Sequence, residues 1–287
     1  MSSPVPQHLP RLEAVHDHYD LLLCDIWGVI HNGRAAFAPA CDALAAFRAR
    51  GKPVLLISNA PRPSVVIPPQ LEHLGVRRDA WDAIVTSGDA TRAEIAARGP
   101  NAYRIGPDKD SGLYDGLEVD FLRAERADYV ICTGLRDELA EGPEDYRAEF
   151  ERLIGLGLPM VCANPDKIVQ FGDRAIYCAG ALADLYARMG GTTVMAGKPF
   201  APIYELALRE AGALLGRAPD RARILAIGDG LGTDVAGAAG QGIDCLLVAS
   251  GIHAAAMHGA AGFSPARATA LLSEQGLFAR YVAEALA

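Results

Sequence analysis

The stretch Tyr19-Asp20-Leu21-Leu22-Leu23-Cys24-Asp25-Ile26-Trp27-Gly28-Val29 predicts a buried strand, residues 21–26, that delivers a carboxylate to the edge of a sheet. The run before Asp25 is apolar without alternation, which is typical of a strand covered on both faces. Open α/β sheets bind their ligands at the carboxyl ends of the strands. Asp25 is therefore expected where chemistry takes place, and Trp27 is expected beside it.

Strand-like and helix-like runs alternate along the rest of the chain, which predicts βαβ units and a parallel sheet. Further strands are predicted at residues 53–58, 83–86, 129–133, 160–163, 224–227 and 245–249. Helices are predicted at residues 39–49, 89–98, 143–154, 181–189 and 202–213, and apolar spacing predicts a last helix over 271–286. Residues 100–116 are rich in turn-forming residues, and turns are predicted there.

Length and composition narrow the class of protein. A chain of 287 residues is long for one domain and suits two, or one domain with a large insertion. Its net charge of −8 argues against nucleic acid or an anionic membrane as partner. The six cysteines form no CxxC pair, and reduced thiols in a cytoplasmic protein are expected. The polar start of the chain predicts no signal peptide, and no apolar stretch is long enough to span a bilayer.

Four short motifs carry groups suited to chemistry. Each motif is common as a turn or a helix cap when it stands alone. Three of the four, however, lie at the ends of predicted apolar strands. In chain order they are Asp25-Ile26-Trp27-Gly28-Val29, Leu56-Ile57-Ser58-Asn59-Ala60, Gly197-Lys198-Pro199 and Ile227-Gly228-Asp229-Gly230 with Thr233-Asp234. No GxGxxG follows the first strand, which argues against a dinucleotide-binding dehydrogenase.

In this order the motifs resemble those of the haloacid dehalogenase superfamily of phosphohydrolases, and the resemblance spans nearly the whole chain. It is closest to class IIA, in which an α/β cap lies between the second and third motifs, and which includes nucleotide, phosphoglycolate, pyridoxal phosphate and nitrophenyl phosphate phosphatases. Supporting matches are Thr86-Ser87-Gly88-Asp89-Ala90, Cys132-Thr133-Gly134-Leu135 and Ala163-Asn164-Pro165-Asp166. The resemblance implies a Rossmann-like parallel-sheet core at residues 1–87 and 192–287, with an α/β cap domain inserted at 88–191.

The resemblance also implies an activity: a Mg²⁺-dependent phosphatase that acts through an aspartyl-phosphate on a small phosphorylated metabolite. A homodimer is a further expectation, because caps of this subgroup often take part in dimers. A carboxylate can attack phosphorus and divide one difficult displacement into two, and Asp25 is the candidate nucleophile. Ser58 is expected to hold phosphoryl oxygens, and Lys198 to neutralise the charge that nucleophile and phosphate share.

Mg²⁺ prefers carboxylate and carbonyl oxygens. The candidate ligands are Asp25 and Asp229, with Asp234 either ligating the ion or orienting a bound water. In this family the backbone carbonyl two residues after the nucleophile also binds the metal, and here that carbonyl belongs to Trp27. For substrate contact the candidates are the Trp27 side chain, which would close the pocket, and the polar residues Asn59, Asn164 and Asp166.

Trp27 stands where this family carries a second aspartate, the general acid and base. An indole can only donate a hydrogen bond, whereas general acid–base catalysis contributes about 10²–10⁴-fold. Three interpretations stay open: the leaving group needs no proton, as in aryl or acyl phosphates; His31 or Asp166 replaces the acid; or the protein is a weakened phosphate-binding or regulatory protein. Related phosphonate-cleaving enzymes use a cap lysine instead, but Lys167 is expected to be solvated.

Overall fold

Two compact units make up the chain, and each contains its own parallel sheet. The structure is a computed structural model and describes residues 5–171 and 174–287. The first unit comprises the residues up to Ser58, then Val66–Val85 and Lys198–Ala287; the second comprises Asn59–Val65 and Thr86–Gly197. Relative to the predicted division at 88–191, the second unit gains the short segment Asn59–Val65 and ends at Gly197.

Strands and helices alternate over much of the described part of the chain. The strands are β1 (Gln7–His8), β2 (Leu21–Cys24), β3 (Val54–Ser58), β4 (Ala83–Thr86), β5 (Asn101–Ile105), β6 (Asp120–Phe121), β7 (Tyr129–Cys132), β8 (Met160–Cys162), β9 (Ile168–Phe171), β10 (Arg174–Tyr177), β11 (Thr193–Met195), β12 (Ile224–Gly228), β13 (Asp244–Val248), β14 (His258–Gly259), β15 (Gly262–Phe263) and β16 (Tyr281–Ala283). The helices are α1 (Ala38–Arg48), α2 (Ile67–His73), α3 (Ser87–Arg98), α4 (Arg147–Gly155), α5 (Ala179–Arg188), α6 (Ala201–Leu215), α7 (Ala236–Gln241), α8 (Ala254–Met257) and α9 (Pro265–Glu274).

The sheet of the first unit has the strand order β1-β16-β13-β12-β2-β3-β4. Strand β2 lies inside it and is fully buried, as its unbroken apolar sequence predicts. Its last residue, Cys24, pairs in parallel with Leu56 of β3 and with Ile227 of β12. Because these strands run in the same direction, the residues that follow them, Asp25 and Asp229, emerge at one edge of the sheet.

The sheet of the second unit has the order β11-β8-β7-β5-β6, and its strand pairs are parallel. Apolar clusters cover both of its faces, one around Phe150 and Tyr186 and one around Leu113 and Ile131. The predicted fold class, an α/β fold with a Rossmann-like parallel sheet, is confirmed.

The predicted helix over residues 271–286 is wrong. Helix α9 ends at Glu274, and Gly276 then takes a positive φ of 64° that no helix continues. The chain returns as strand β16, whose three residues are buried and pair in parallel with β13. Three apolar residues in a row do not distinguish a buried strand from a helix face, so the sequence pattern was ambiguous here.

The predicted turn-rich segment, residues 100–116, is only partly irregular, because it begins with β5. All six cysteines are free, and five of them are buried. Within the described residues, none of the helices combines the length and the apolar character that crossing a bilayer requires.

Candidate active site

Four charged side chains of the first unit meet at the carboxyl edge of its sheet. Asp25 follows β2, Asp229 follows β12, Asp234 lies in a π-helical turn at Leu231–Val235, and Lys198 begins the segment that leads into α6. All four are buried. Carboxylate oxygens of the three aspartates lie within 4.8 Å of one another. The sequence motifs thus converge on a single cluster, which we call the carboxylate cluster.

Lys198 is the cation of the carboxylate cluster. Its Nζ donates to Asp25 Oδ1 at 2.6 Å, to Asp234 Oδ1 at 2.7 Å and to the carbonyl oxygen of Ile57 at 3.2 Å. Burial by itself lowers the pKa of Lys198, but the carboxylates of Asp234 and Asp25 outweigh burial and raise it. The ammonium is therefore charged, and it fixes the orientation of the Asp25 carboxylate.

Asp229 is held by backbone that approaches it closely. The amide of Ile252 donates to Asp229 Oδ2 at 2.7 Å. A Cβ added at Gly28 would lie 2.5 Å from the same oxygen, and one added at Gly251 would lie 1.7 Å from it. Gly28 also has a φ of 80°, which side chains other than glycine rarely adopt. Glycine at both positions is what allows Asp229 to occupy this place.

Asp234 is held in the same manner. Its Oδ2 accepts from the amide of Gly230 at 3.0 Å and from the Thr233 hydroxyl at 3.3 Å. A Cβ at Gly228 would lie 2.1 Å from its Cγ. The π-helical turn, a form that is frequent at functional sites, sets the direction in which Asp234 leaves the backbone.

The carboxylate cluster contains more negative than positive charge. Burial raises the pKa of Asp25, although Lys198 opposes the shift, and burial together with Asp234 raises the pKa of Asp229. Three carboxylates with one ammonium leave an excess of buried negative charge, which a divalent cation would offset. The donor atoms are all oxygen, the type that Mg²⁺ prefers. The residues present therefore fit a bound Mg²⁺.

Trp27 lies at the surface and is 56% exposed. Its indole meets the His31 ring edge-on, with 5.3 Å between centroids, and a Cβ at Gly33 would lie 2.2 Å from its Cη2 atom. His31 is buried, which lowers its pKa, and its Nδ1 accepts from the amide of Gly33 at 3.0 Å. His31 is thus a neutral ring that supports the turn, and this argues against its replacing the missing acid.

Ser58 is the last residue of β3 and lies two residues beyond Leu56, the partner of Cys24. This register places Ser58 at the same sheet edge as Asp25. Its side chain is half-buried.

The remaining polar candidates lie in the second unit and are bonded to each other. Asn59 Nδ2 donates to Asp166 Oδ1 at 3.1 Å, and Asn164 Oδ1 accepts from the Asp166 amide at 3.0 Å. We call these three residues the amide cluster. Lys167, the next residue, is exposed and pairs with Asp184 at 2.7 Å, so it has the surroundings of a solvated lysine.

Sequence reasoning missed the loop Ser250-Gly251-Ile252, which holds Asp229 through a backbone amide. The available signal was the Ser250-Gly251 pair that follows the predicted strand at 245–249. Ser250 Oγ also donates to the Gly28 carbonyl at 2.8 Å and so ties this loop to the turn that carries Trp27.

The chain is similar to several known proteins. Two family descriptions match it: haloacid dehalogenase-like hydrolase over residues 22–133, and HAD-hydrolase-like over residues 195–274. A hydrolase of the haloacid dehalogenase-like family from Brucella suis 1330 is 44% identical, with a TM-score of 0.82 over 97% of this chain and all of that one.

More distant relatives have more specific names. The 5'-nucleotidase YutF of Bacillus subtilis (strain 168) is 27% identical over 248 residues, which are 82% of this chain and 88% of that protein. A p-nitrophenyl phosphatase from Archaeoglobus fulgidus is 22% identical, with a TM-score of 0.72 over 93% of this chain and 96% of that one, and this likeness shows the fold.

The near-complete overlap with the Brucella protein, at an identity far above chance, confirms the predicted superfamily and the prediction that the chain is an enzyme. The assignment to class IIA as a variant with Trp27 stays a prediction. The chain belongs to the haloacid dehalogenase-like family of hydrolases.

Proposed function

We propose that the chain is a cytoplasmic, Mg²⁺-dependent phosphatase that forms an aspartyl-phosphate at Asp25 and acts on a small phosphorylated metabolite. The observation that carries the proposal is the buried Lys198, which bridges the carboxylates of Asp25 and Asp234. Such a cation holds a carboxylate nucleophile in one orientation and offsets the repulsion between it and a phosphoryl group. The names of the nucleotidase and phosphatase relatives support the same activity.

In this proposal Asp25 attacks phosphorus through the carboxylate oxygen that does not accept from Lys198. Ser58 and nearby amides hold phosphoryl oxygens. Mg²⁺ would be held by Asp25, Asp229, Asp234 and the carbonyl of Trp27, and would supply positive charge next to the phosphoryl group. Lys198 neutralises part of the charge that remains.

The second unit is our candidate for selecting the substrate. Its amide cluster, Asn59, Asn164 and Asp166, offers hydrogen-bond donors and acceptors on a braced loop. The Trp27 side chain is the candidate contact from the first unit. The homodimer stays a prediction.

Phosphate release from 4-nitrophenyl phosphate, measured with Mg²⁺ and after its removal by a chelator, tests the proposal. We expect release by the native chain with Mg²⁺ only, and none by Asp25→Asn. The matched control is Asp17→Asn, which changes an exposed aspartate paired with Arg50 and is expected to leave the rate unchanged. Full release by Asp25→Asn would refute the proposal.

A second candidate function is a phosphate-binding or regulatory protein without turnover. It is favoured by Trp27, whose indole cannot act as a general acid or base. In that case inorganic phosphate with Mg²⁺ raises the melting temperature while no phosphorylated compound is cleaved. Cleavage of 4-nitrophenyl phosphate that depends on Asp25 excludes this candidate.

A further inference from the structure

Two large apolar side chains stand exposed on the loops that enclose Asp229. Trp27 is 56% exposed and Ile252 is 70% exposed. The two loops are in contact, since a Cβ added at Gly28 would lie 3.2 Å from the Gly251 Cα. Backbone atoms of both loops also lie close to Asp229. The border of the carboxylate cluster is thus apolar on this side, although the cluster itself is ionic.

The indole of Trp27 is held in place. The His31 ring meets it edge-on, and Gly33 leaves just enough room for it, because any side chain there would collide with the ring. His31 is buried and bonded to the Gly33 amide. An aromatic side chain that is exposed but fixed by its own turn presents a flat apolar surface. It loses little conformational entropy when a ligand packs against it.

Within the described part of the first unit, the donors seen bonded to the three aspartates are poor acids for a departing alkoxide. They are the Lys198 ammonium, whose Nζ donates to three acceptors, the amides of Gly230 and Ile252, and the hydroxyl of Thr233. The His31 Nδ1 is occupied as an acceptor. Because none of these donors is a good acid, the first unit favours a leaving group that departs as an anion.

We propose that Trp27 determines the leaving-group specificity of this site, which takes phosphate esters of planar, weakly basic leaving groups, such as aryl phosphates, in preference to alkyl phosphates. This inference rests on the proposed phosphatase function. A carboxylate oxygen of Asp25 forms a bond to phosphorus, and the bond from phosphorus to the ester oxygen breaks with its electron pair going to that oxygen. The aryloxide departs without a proton. Water then attacks phosphorus, and the bond from phosphorus to the Asp25 oxygen breaks with its electron pair going to that oxygen. Both protons of the water end on the released phosphate, and the Asp25 carboxylate is restored.

The test compares kcat/KM for three substrates: 4-nitrophenyl phosphate, which is planar with a weakly basic leaving group; acetyl phosphate, whose leaving group is weakly basic but small; and glycerol 1-phosphate, an alkyl ester. The variants are Trp27→Leu, Trp27→Phe and Trp27→Asp. Phe278→Leu, which removes another exposed aromatic of the first unit, is the control and is expected to behave as the native chain.

For the native chain we expect kcat/KM for glycerol 1-phosphate to lie at least about 100-fold below that for the aryl ester. Trp27→Leu should lower the aryl value roughly three- to tenfold and leave the acetyl phosphate value within about twofold, while Trp27→Phe keeps most of the aryl value. Trp27→Asp should raise the glycerol 1-phosphate value at least about tenfold.

Equal losses on aryl and acetyl phosphate in Trp27→Leu would overturn the inference and leave the proposed function intact. The same holds if the native chain cleaves the alkyl ester as well as the aryl ester. If no substrate is cleaved by the native chain with Mg²⁺, the proposed function fails, and the inference fails with it.

Discussion

The two units place polar side chains at the ends of parallel strands, but the chemistry of the two clusters differs. The carboxylate cluster has three buried aspartates around one ammonium, held by Lys198 and by backbone amides. The amide cluster has one carboxylate, Asp166, bonded to Asn59 and to the loop that Asn164 braces. The parallel sheet determines where the side chains meet. The residue types determine whether the site is suited to making bonds or to recognising a substrate.

The sharpest test of this difference compares one lysine from each unit. Lys198→Met leaves three buried carboxylates without their cation, and we expect a loss of about 3–5 kcal/mol in the free energy of unfolding, together with loss of phosphatase activity. Lys167→Met removes an exposed lysine that pairs with Asp184, and we expect a change within about 0.5 kcal/mol.

Urea unfolding of both variants in metal-free buffer measures these changes. A loss of similar size in the two variants would mean that Lys198 is no more important for the fold than a surface ion pair.

The glycines around Asp229 permit a second comparison, at the level of metal affinity. A Cβ at Gly251 would lie 1.7 Å from Asp229 Oδ2, so Gly251→Ala has to displace that carboxylate. We expect Mg²⁺ to bind about 10–100-fold more weakly, measured by titration calorimetry. Gly240→Ala is the matched control, because its Cβ meets nothing within 4 Å, and it should bind Mg²⁺ as the native chain does. An unchanged affinity in Gly251→Ala would remove Asp229 from the set of metal ligands.

The smallest effect is expected in the amide cluster. Asn164→Ala removes the oxygen that accepts from the Asp166 amide. The loop that carries Asp166 therefore loses a stabilising hydrogen bond, whereas the contacts of Asp25 do not change. Steady-state kinetics on 4-nitrophenyl phosphate should show KM raised by about tenfold with kcat nearly unchanged, the pattern of lost uniform binding. Asn101→Ala, which removes a half-buried asparagine whose side chain donates to Asp128, is the control. A fall in kcat with constant KM would instead place Asn164 in the chemical step.

The sequence predicted the positions of the charged residues better than the contacts that hold them. Asp25 and Asp229 follow unbroken apolar strands, and the parallel register makes their convergence at one edge predictable. The bond from the Ile252 amide to Asp229 was not predictable, because a backbone donor has no characteristic residue type. The sequence pattern predicts a helix where strand β16 lies, because the place of β16 beside β13 depends on residues distant in sequence. The packing of Trp27 on His31 depends on the shape of a tight turn, which spacing alone does not give.

The central claim is that Asp25 carries the phosphoryl group during turnover. It is tested most directly by quenching the reaction with 4-nitrophenyl phosphate and Mg²⁺ in acid and measuring the intact mass of the protein, followed by mapping of its peptides. We predict one phosphoryl adduct that is sensitive to hydroxylamine, lies on the peptide containing Asp25, and is absent from Asp25→Asn. An adduct on another residue, or turnover by Asp25→Asn at the native rate, would contradict the account.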